Sequence, residues 1–404
     1  MSKTILVLGA GPYNIAVFQQ LRKAGYRIAA IDRNPKAESA AYADSFACID
    51  ITDVGRAQDF AGKSAIDGVM PINDFGVPTA ARISASLGLI GITDEAAYRA
   101  TDKGAMREAW KQNGLPIPDF RIVLKLEEAV AAGREIGYPV IVKPAFSGGG
   151  GRGITIARDS AELLWAFNFA LQFARTRRVL VESFIEGLEM TIDALTFRGK
   201  TTCLAMSDKV KPEMKYRVAT RLSFPPALPT HVLQKVAALV SSAVDALGIE
   251  YGASHTEVIV TNSGPILVET GARGGGGHIF SLIVKEVTGV NYVVQTARIL
   301  TNETPNLAQL VARGCVYGFF HPPAGIIKAI RGIDAARAIP GLLDIGLMKS
   351  QGQLVEELTD SLHRVGFYVV SADSRETAIE RADQVEKTVR FEIEPNKVSR
   401  GQQP

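Results

Sequence analysis

Apolar residues recur with two different periods along this chain, and the switches between them mark its elements. Ile5 to Leu8 is an unbroken apolar run, as expected of a strand buried on both faces. It runs into Gly9-Ala10-Gly11-Pro12-Tyr13-Asn14, then a helical pattern through Gly25, then Arg27 to Ile31 ending at Asp32. That order is a βαβ start. Asp67 to Ile72 predicts a further strand and Val77 to Leu87 the helix after it, so a doubly wound parallel-sheet domain should close near residue 95.

Thr101 and Asp102 predict a cap for a helix from Lys103 to about Gln112, stopped by Asn113-Gly114 and then Pro116 and Pro118. Tyr138 to Pro144 and Ile154 to Ile156 then bracket Ser147-Gly148-Gly149-Gly150-Gly151-Arg152-Gly153. This reads as a hairpin with a long glycine tip. It is not the strand–loop–helix of a Walker loop, whose Lys-Ser/Thr pair is missing. Four successive glycines carry no Cβ, so their backbone N–H groups can close on phosphate oxygens, with Lys143 at the strand end in reach. The plain alternative is a mobile turn.

A helix from Ser160 to Ala174 and a strand into Glu182 follow, with Gly187 permitting the next turn. Met190 to Phe197 predicts a strand, Arg198-Gly199-Lys200 a hairpin, and the basic, aperiodic stretch Lys209 to Arg221 a loop. A long helix spans His231 to Leu247, and another opens after Gly274-Gly275-Gly276-Gly277-His278 and runs from Ile279 to about Thr288. Beyond about 313, strands at Cys315–Phe320, 325–330 and 364–370, with helices around Asp334 and from Arg375 to Val389, predict a small α+β domain. Residues 395–404 are a polar tail expected to fray.

Two carboxylates add chemistry to this outline. Glu257 and Glu269 flank two β-branched runs joined by Asn262-Ser263-Gly264. A turn centred on Ser263 sets them directly opposite, where like charges are destabilising unless neutralised. A divalent cation bound through oxygen would do this. The bland alternative is a solvated edge hairpin. Glu182 has its own plain reading as an ion-pair partner of Arg178.

Composition bounds the function. The 404 residues are 47% apolar and 22% charged with a formal net charge of +3, which argues against nucleic acid or an anionic membrane surface as partner. The local basic stretch, including Lys215 and Arg217, suits a small anion better. Three scattered cysteines, no basic leader and no apolar run of spanning length lead to the expectation of a cytoplasmic protein. The N-terminal glycine turn and Asp32 resemble a dinucleotide fingerprint, but Asn14 stands at the third glycine.

The order of these motifs is more telling than any one of them: Lys103 on a capped helix, Lys143 before a glycine hairpin, Glu182-x-Phe-Ile-x-Gly-x-Glu189, and paired glutamates closing on Glu269-Thr-Gly-Ala-Arg273. From residue 1 to about 393 the chain resembles the ATP-grasp superfamily, most of all its carboxylate–amine (L-amino acid) ligases. The resemblance implies a Rossmann-like N-terminal domain over 1–95, an ATP-grasp domain over 96–312 with a lid at about 117–190, and a C-terminal α+β domain over 313–394. It implies ATP and Mg²⁺ (or Mn²⁺) as cofactors. Lys103 and Lys143 would contact phosphates, Ser147, Gly148, Gly149, Gly150 and Gly151 would fold over them, and Glu182 with the backbone of Ser183 and Ile185 would receive adenine. Glu189 would bind ribose, and Glu257 and Glu269 the metal. Many members carry Asn two residues after the second glutamate, where Gly271 stands here. Arg273 and Lys143 would serve catalysis, and Arg273, Gly275, Gly276, His278, Lys215 and Arg217 the substrate. The implied reaction joins an acid to an amine, with amino acids as the expected substrates, through an acyl phosphate. A bicarbonate-using ligase and an NAD(P)-dependent oxidoreductase are the competing readings. Relatives are often dimers, which leaves a homodimer open.

Overall fold

The computed structural model describes residues 2–146, 148–211, 216 and 218–395. Ser147, Lys215 and Arg217 therefore lie outside the described residues, as does the tail beyond 395.

Four parallel strands, Thr4–Leu8, Arg27–Asp32, Ser45–Cys48 and Gly68–Pro71, make the first sheet in the spatial order third, second, first, fourth. The unbroken apolar run has its reason here. Ile5 and Val7 pack with Val17, Phe18 and Leu21 of the helix Ile15–Lys23, whereas Leu6 and Leu8 pack on the opposite face with Ala57, Ala61 and Ile83. A helix from far along the chain, Tyr292–Leu300, also covers the first face through Val293 and Ala297.

The glycine hairpin belongs to a second, antiparallel sheet, ordered Phe120–Val123, Val179–Ser183, Val140–Pro144, Thr155–Ala157. Helices Leu126–Ile136 and Ser160–Phe173 cover one of its faces through Ala129, Ala132, Leu163 and Phe167.

The third sheet has eight strands, ordered Gly264–Gly271, Tyr251–Thr261, Leu188–Phe197, Lys200–Val210, Arg221–Phe224, Gly314–Phe320, Gly366–Ala372, Leu342–Leu347. It is continuous across residue 313, because Arg221–Phe224 bonds to Gly314–Phe320. The C-terminal segment thus extends the sheet that carries the paired glutamates, and helix Arg375–Thr388 buries Ala378, Ala382 and Val385 against it. A small sheet of Leu354–Val355, Gly325–Arg331 and Arg390–Glu394 completes the end.

Two expectations change. Lys209 and Val210 pair with Leu222 and Arg221, so both ends of the basic stretch are strand rather than loop. Arg221 meets Asp383 and Glu386 of the C-terminal helix. Ile279–Ile283 is a widened π-helical turn, and regular helix is confined to Val284–Thr288.

Candidate functional site

The glutamate hairpin reaches its geometry by a route the turn residues do not disclose. Thr261 pairs with Gly264, leaving the two-residue turn Asn262-Ser263, and Val258 pairs with Leu267. Continued unbroken, that register would set Glu257 opposite Val268 and turn Glu269 to the other face. The register shifts by one residue between Glu257 and Val258, so Glu257 pairs with Glu269 after all. This bulge is what re-aims Glu269, and the carbonyl of Val268 accepts Arg107 Nη2 at 2.7 Å.

Both carboxylates open onto a cavity of about 560 Å³. Lysines already neutralise the pair. Lys103 Nζ lies 2.7 Å from Glu269, and Lys209 Nζ lies 2.5 Å from Glu257 and 3.0 Å from Glu189. Lys211 adds a 2.5 Å contact to Glu189. A metal is therefore not required to hold the opposed charges, contrary to the inference from sequence. Asp102 caps the helix that starts at Lys103 by accepting Ala105 N–H, which fixes that lysine in the wall.

Deeper in the cavity, Glu182 is enclosed by Lys143 (2.7 Å) and Arg107 (3.0 Å). Arg178 instead pairs with Asp102 at 3.0 Å and does not meet Glu182. Burial pulls the Lys143 ammonium down to about 8, and neighbouring Arg107 adds to the fall although Glu182 opposes it. For Glu257, burial would raise the carboxyl, but Lys209 and then Lys211 outweigh it and hold it at about 2. The described residues lining the cavity include seven Lys and Arg against five carboxylates, an excess that suits a polyanion.

The N-terminal domain supplies a residue that the sequence reading passed over. Arg273 Nη2 meets buried Asp74 at 3.0 Å, and the pair bridges the hairpin to the first sheet. A Cβ on residue 271 would lie 2.9 Å from Asp74 Oδ1, so glycine there makes room for this carboxylate. Asp74 follows the C-terminal end of strand Gly68–Pro71, where open α/β sheets place their ligands, and that position was the available signal.

Gly148 to Gly151 all have φ between +75° and +81° and line the cavity. The tip is closed down. A Cβ on Gly148 would fall 1.9 Å from Phe75 Cζ, and Ser361 N–H donates to Gly150 O at 2.9 Å. Beside Glu182, Pro118, Ile141, Phe184, Ile185 and Val268 make an apolar slot in the cavity lining. The Ser183 N–H, expected to face adenine, already donates to Asp119 O at 2.9 Å, and the Glu182 carboxylate is engaged by cations.

Gly276 lines the cavity, but Gly275 and His278 are outside its lining. Gly275 N–H donates to Asp193 Oδ1 at 2.9 Å. The His278 ring packs 4.5 Å from that of Phe367 and 5.7 Å from that of Tyr317, and burial lowers its pKa, with Asp344 opposing.

The family model for the ATP-binding domain of the carbamoyl-phosphate synthase L chain matches residues 102–307, about half of the chain. The model for L-amino acid ligase C-terminal domain 2 matches 318–394. The chain is an ATP-grasp ligase of the L-amino acid ligase group. This ATP-grasp ligase is 29% identical over 301 residues to the L-arginine-specific L-amino acid ligase of Bacillus subtilis, covering 73% of this chain and 72% of that protein. It is 26% identical over 340 residues to protein y4rH of Sinorhizobium fredii, covering 83% and 70%. In fold it matches the L-amino acid ligase of Bacillus licheniformis with a TM-score of 0.84 over 97% of this chain and 99% of that one, at 20% identity. Among its described residues no helix is long and apolar enough to cross a membrane.

Of the site residues expected from sequence, Lys103, Lys143, Gly148 to Gly151, Glu182, Ser183, Ile185, Glu189, Glu257, Glu269, Arg273 and Gly276 of this ATP-grasp ligase surround one cavity. Asp74 and Arg107 join them without having been singled out, and Lys209 and Lys211 bring in the start of the basic stretch that suited a small anion.

Proposed function

We propose that this ATP-grasp ligase uses ATP to activate the carboxylate of an amino acid as an acyl phosphate, which the amine of a second amino acid attacks to give a peptide bond, ADP and phosphate. The observation that carries this reading is the opposed Glu257–Glu269 pair, with Lys103, Lys143, Lys209 and Arg273 around it, beneath a closed glycine tip. A carboxylate is a poor electrophile because it is anionic and resonance-stabilised. Transfer of the γ-phosphoryl group supplies a leaving group, and the protein's part is positioning and neutralisation.

The donor set fits Mg²⁺. Glu257 and Glu269 are hard, acceptor-only ligands, and each is matched by a lysine in its absence. Glu257 and Glu269 would hold the cation, whose positive charge would lower the repulsion between the phosphates and the incoming carboxylate. Lys103 and Lys209, on release from the glutamates, would turn to phosphate oxygens. Lys143 would sit against the polyphosphate, the apolar slot at Phe184 and Ile185 would take the adenine ring, and Glu189 the ribose. Arg273, held in place by Asp74, would face the transferring group. The tip of Gly148 to Gly151 would exclude water, which otherwise hydrolyses the acyl phosphate.

The test is a phosphate-release screen over pairs of amino acids with ATP and Mg²⁺. Release of phosphate and ADP only when both partners are present is expected. AMP release rejects the acyl-phosphate route, and ADP formation driven by bicarbonate without an amino acid rejects the amine-ligase reading in favour of carboxylation.

A further inference from the structure

Every cation lining the cavity among the described residues has a carboxylate partner except one. Lys103 has Glu269, Arg107 and Lys143 share Glu182, Lys209 and Lys211 share Glu189, and Arg273 has Asp74. Arg364 lines the same cavity with no acid within ion-pair distance among the described residues. Its Nη2 donates to Ala219 O at 2.7 Å, its Nε is buried without a hydrogen-bond partner, and its guanidinium stacks 3.4 Å from the Phe319 ring centroid. Asp360 acts on it through space, but the Asp360 carboxylate accepts Leu362 N–H and meets His363 Nδ1 at 3.3 Å. Burial pulls Arg364 down to about 10.

A buried guanidinium without an anion is costly, and here the packing on Phe319 holds the plane of the fork fixed at the wall of the cavity. The fixed fork suits a carboxylate. The inference rests on the ligase reading above, which then decides whose carboxylate it is. The acid being activated must lie at the phosphates, between the glutamate pair and Arg273, and its carboxylate is consumed. A second carboxylate that persists through the reaction belongs to the amine substrate, unless the acid partner is itself a dicarboxylate. We infer that Arg364 binds the free carboxylate of the amine substrate, so that this substrate is an amino acid rather than a simple amine. Phe319, Leu222 and Met348 make much of the surrounding wall apolar, which strengthens one charged contact, and the Tyr317 hydroxyl is the polar group in that wall.

The experiment compares amino acids with their carboxamides as amine substrates, at a fixed acid partner and saturating ATP, in the wild type and in Arg364→Gln and Arg364→Lys. The wild type should prefer the amino acid by about 10–100-fold in kcat/KM, the range of a charged hydrogen-bonded contact. Arg364→Gln should raise KM for the amino acid by about the same factor while leaving that for the carboxamide, the KM of the acid partner and the calorimetric ATP affinity unchanged. Arg364→Lys should recover part of the preference. A wild type that uses carboxamide and acid equally, a uniform loss with both amines, or a raised KM for the acid partner overturns the assignment. The wild-type comparison stands even if the variants misfold. A wild type that releases no phosphate with any amino-acid pair overturns the ligase reading itself, a different result from loss of the preference.

Discussion

Two glycine turns follow apolar strands in this molecule, and they do different work. In the first, the fold satisfies itself. Gly9 N–H reaches Ile31 O, Ala10 N–H is bound by Asp32 Oδ2, Asp32 Oδ1 takes Asn34 N–H, and Ser39 holds the carbonyls of Ala10 and Gly11. Both oxygens of Asp32, the acid that a dinucleotide would need for its ribose, accept amides of the turn. In the second, the carbonyls of Gly148 to Gly151 are tied back by Arg152, Ser361 and Ile154, and among the described residues no backbone bond takes their amides. Lys143 stands on the incoming strand. Glycine shows where a backbone can turn closely. The cation beside it, and whether the amides are already used, show what the turn can hold.

The largest effect should come from the floor beneath the second turn. Glu269→Gln keeps the shape of the side chain but removes the charge that faces Lys103 and Glu257. ADP formation should fall by about 10²–10³-fold, the scale of losing one preorganised electrostatic group. Far-UV circular dichroism should be unchanged. Wild-type turnover in this variant would break the contrast, because the glycine tip would then cover a site without a catalytic floor.

Next in size is Gly148→Ala. Its φ of +75° and the overlap of a Cβ with Phe75 both oppose the closed tip. Strain of about 1–3 kcal/mol is expected locally. The tip should open, raising the KM for ATP by about 10-fold or more, while the thermal midpoint of the protein moves little. An unchanged KM would mean that closure seen here does not serve nucleotide binding.

A third prediction uses protons. Lys143 is lowered by burial from its ordinary value of 10.5 to about 8, so above pH 8 a growing fraction is neutral. Polyphosphate favours the ammonium form, so ATP binding at pH 9 should take up protons, read as a buffer-dependent binding enthalpy. Between pH 8 and 10.5 the unfolded chain binds more protons at this group than the folded one, so its contribution to stability rises with pH through that window. Lys143→Met should abolish the uptake and weaken ATP by about 10–100-fold. Uptake that persists in the variant would place the titrating group elsewhere.

How far the sequence revealed this site follows from the range of the interactions. The capped helix at Lys103, the glycine hairpin after Lys143 and the Glu257–Glu269 hairpin rest on neighbours within a few residues, where cap and turn chemistry is readable. The Arg273–Asp74 pair joins residues 199 positions apart, and Lys103–Glu269 spans 166. Nothing local announces such partners. Lys209 illustrates the difficulty: at the start of a basic stretch it reads as part of a loop for a small anion, yet its strand pairing with Leu222 buries it between Glu189 and Glu257. The glutamate register was foreseen for an incomplete reason, since the turn is one residue shorter than a Ser263-centred one and the bulge restores the count. Bulges depend on what packs at the site, here the Arg107 contact with the Val268 carbonyl, and turn residues do not encode them.

The smallest expected effect is the sharpest test of the contrast. Gly11 has φ of −68°, a value open to any residue, and a Cβ built there meets nothing within 4 Å. Gly11→Ala should therefore fold normally and gain up to about 0.4–1 kcal/mol through a less flexible unfolded chain. Thermal unfolding gives that number, and ATP kinetics should match the wild type. Asp32→Ala should cost about 1–3 kcal/mol by leaving the Ala10 and Asn34 amides unbound, again without touching kcat or the KM for ATP. Equal substitution of glycine by alanine then gives opposite results at the two turns, which composition cannot explain and the backbone angle and the room for a Cβ at each can. If Gly11→Ala instead raised the KM for ATP, or if titration with NAD(P)H quenched its fluorescence in the wild type and not in Asp32→Ala, the first turn would be a binding loop in its own right. Tyr13 of that turn reaches the cavity wall, so a kinetic effect confined to the amine substrate would point to that ring rather than to the glycine backbone.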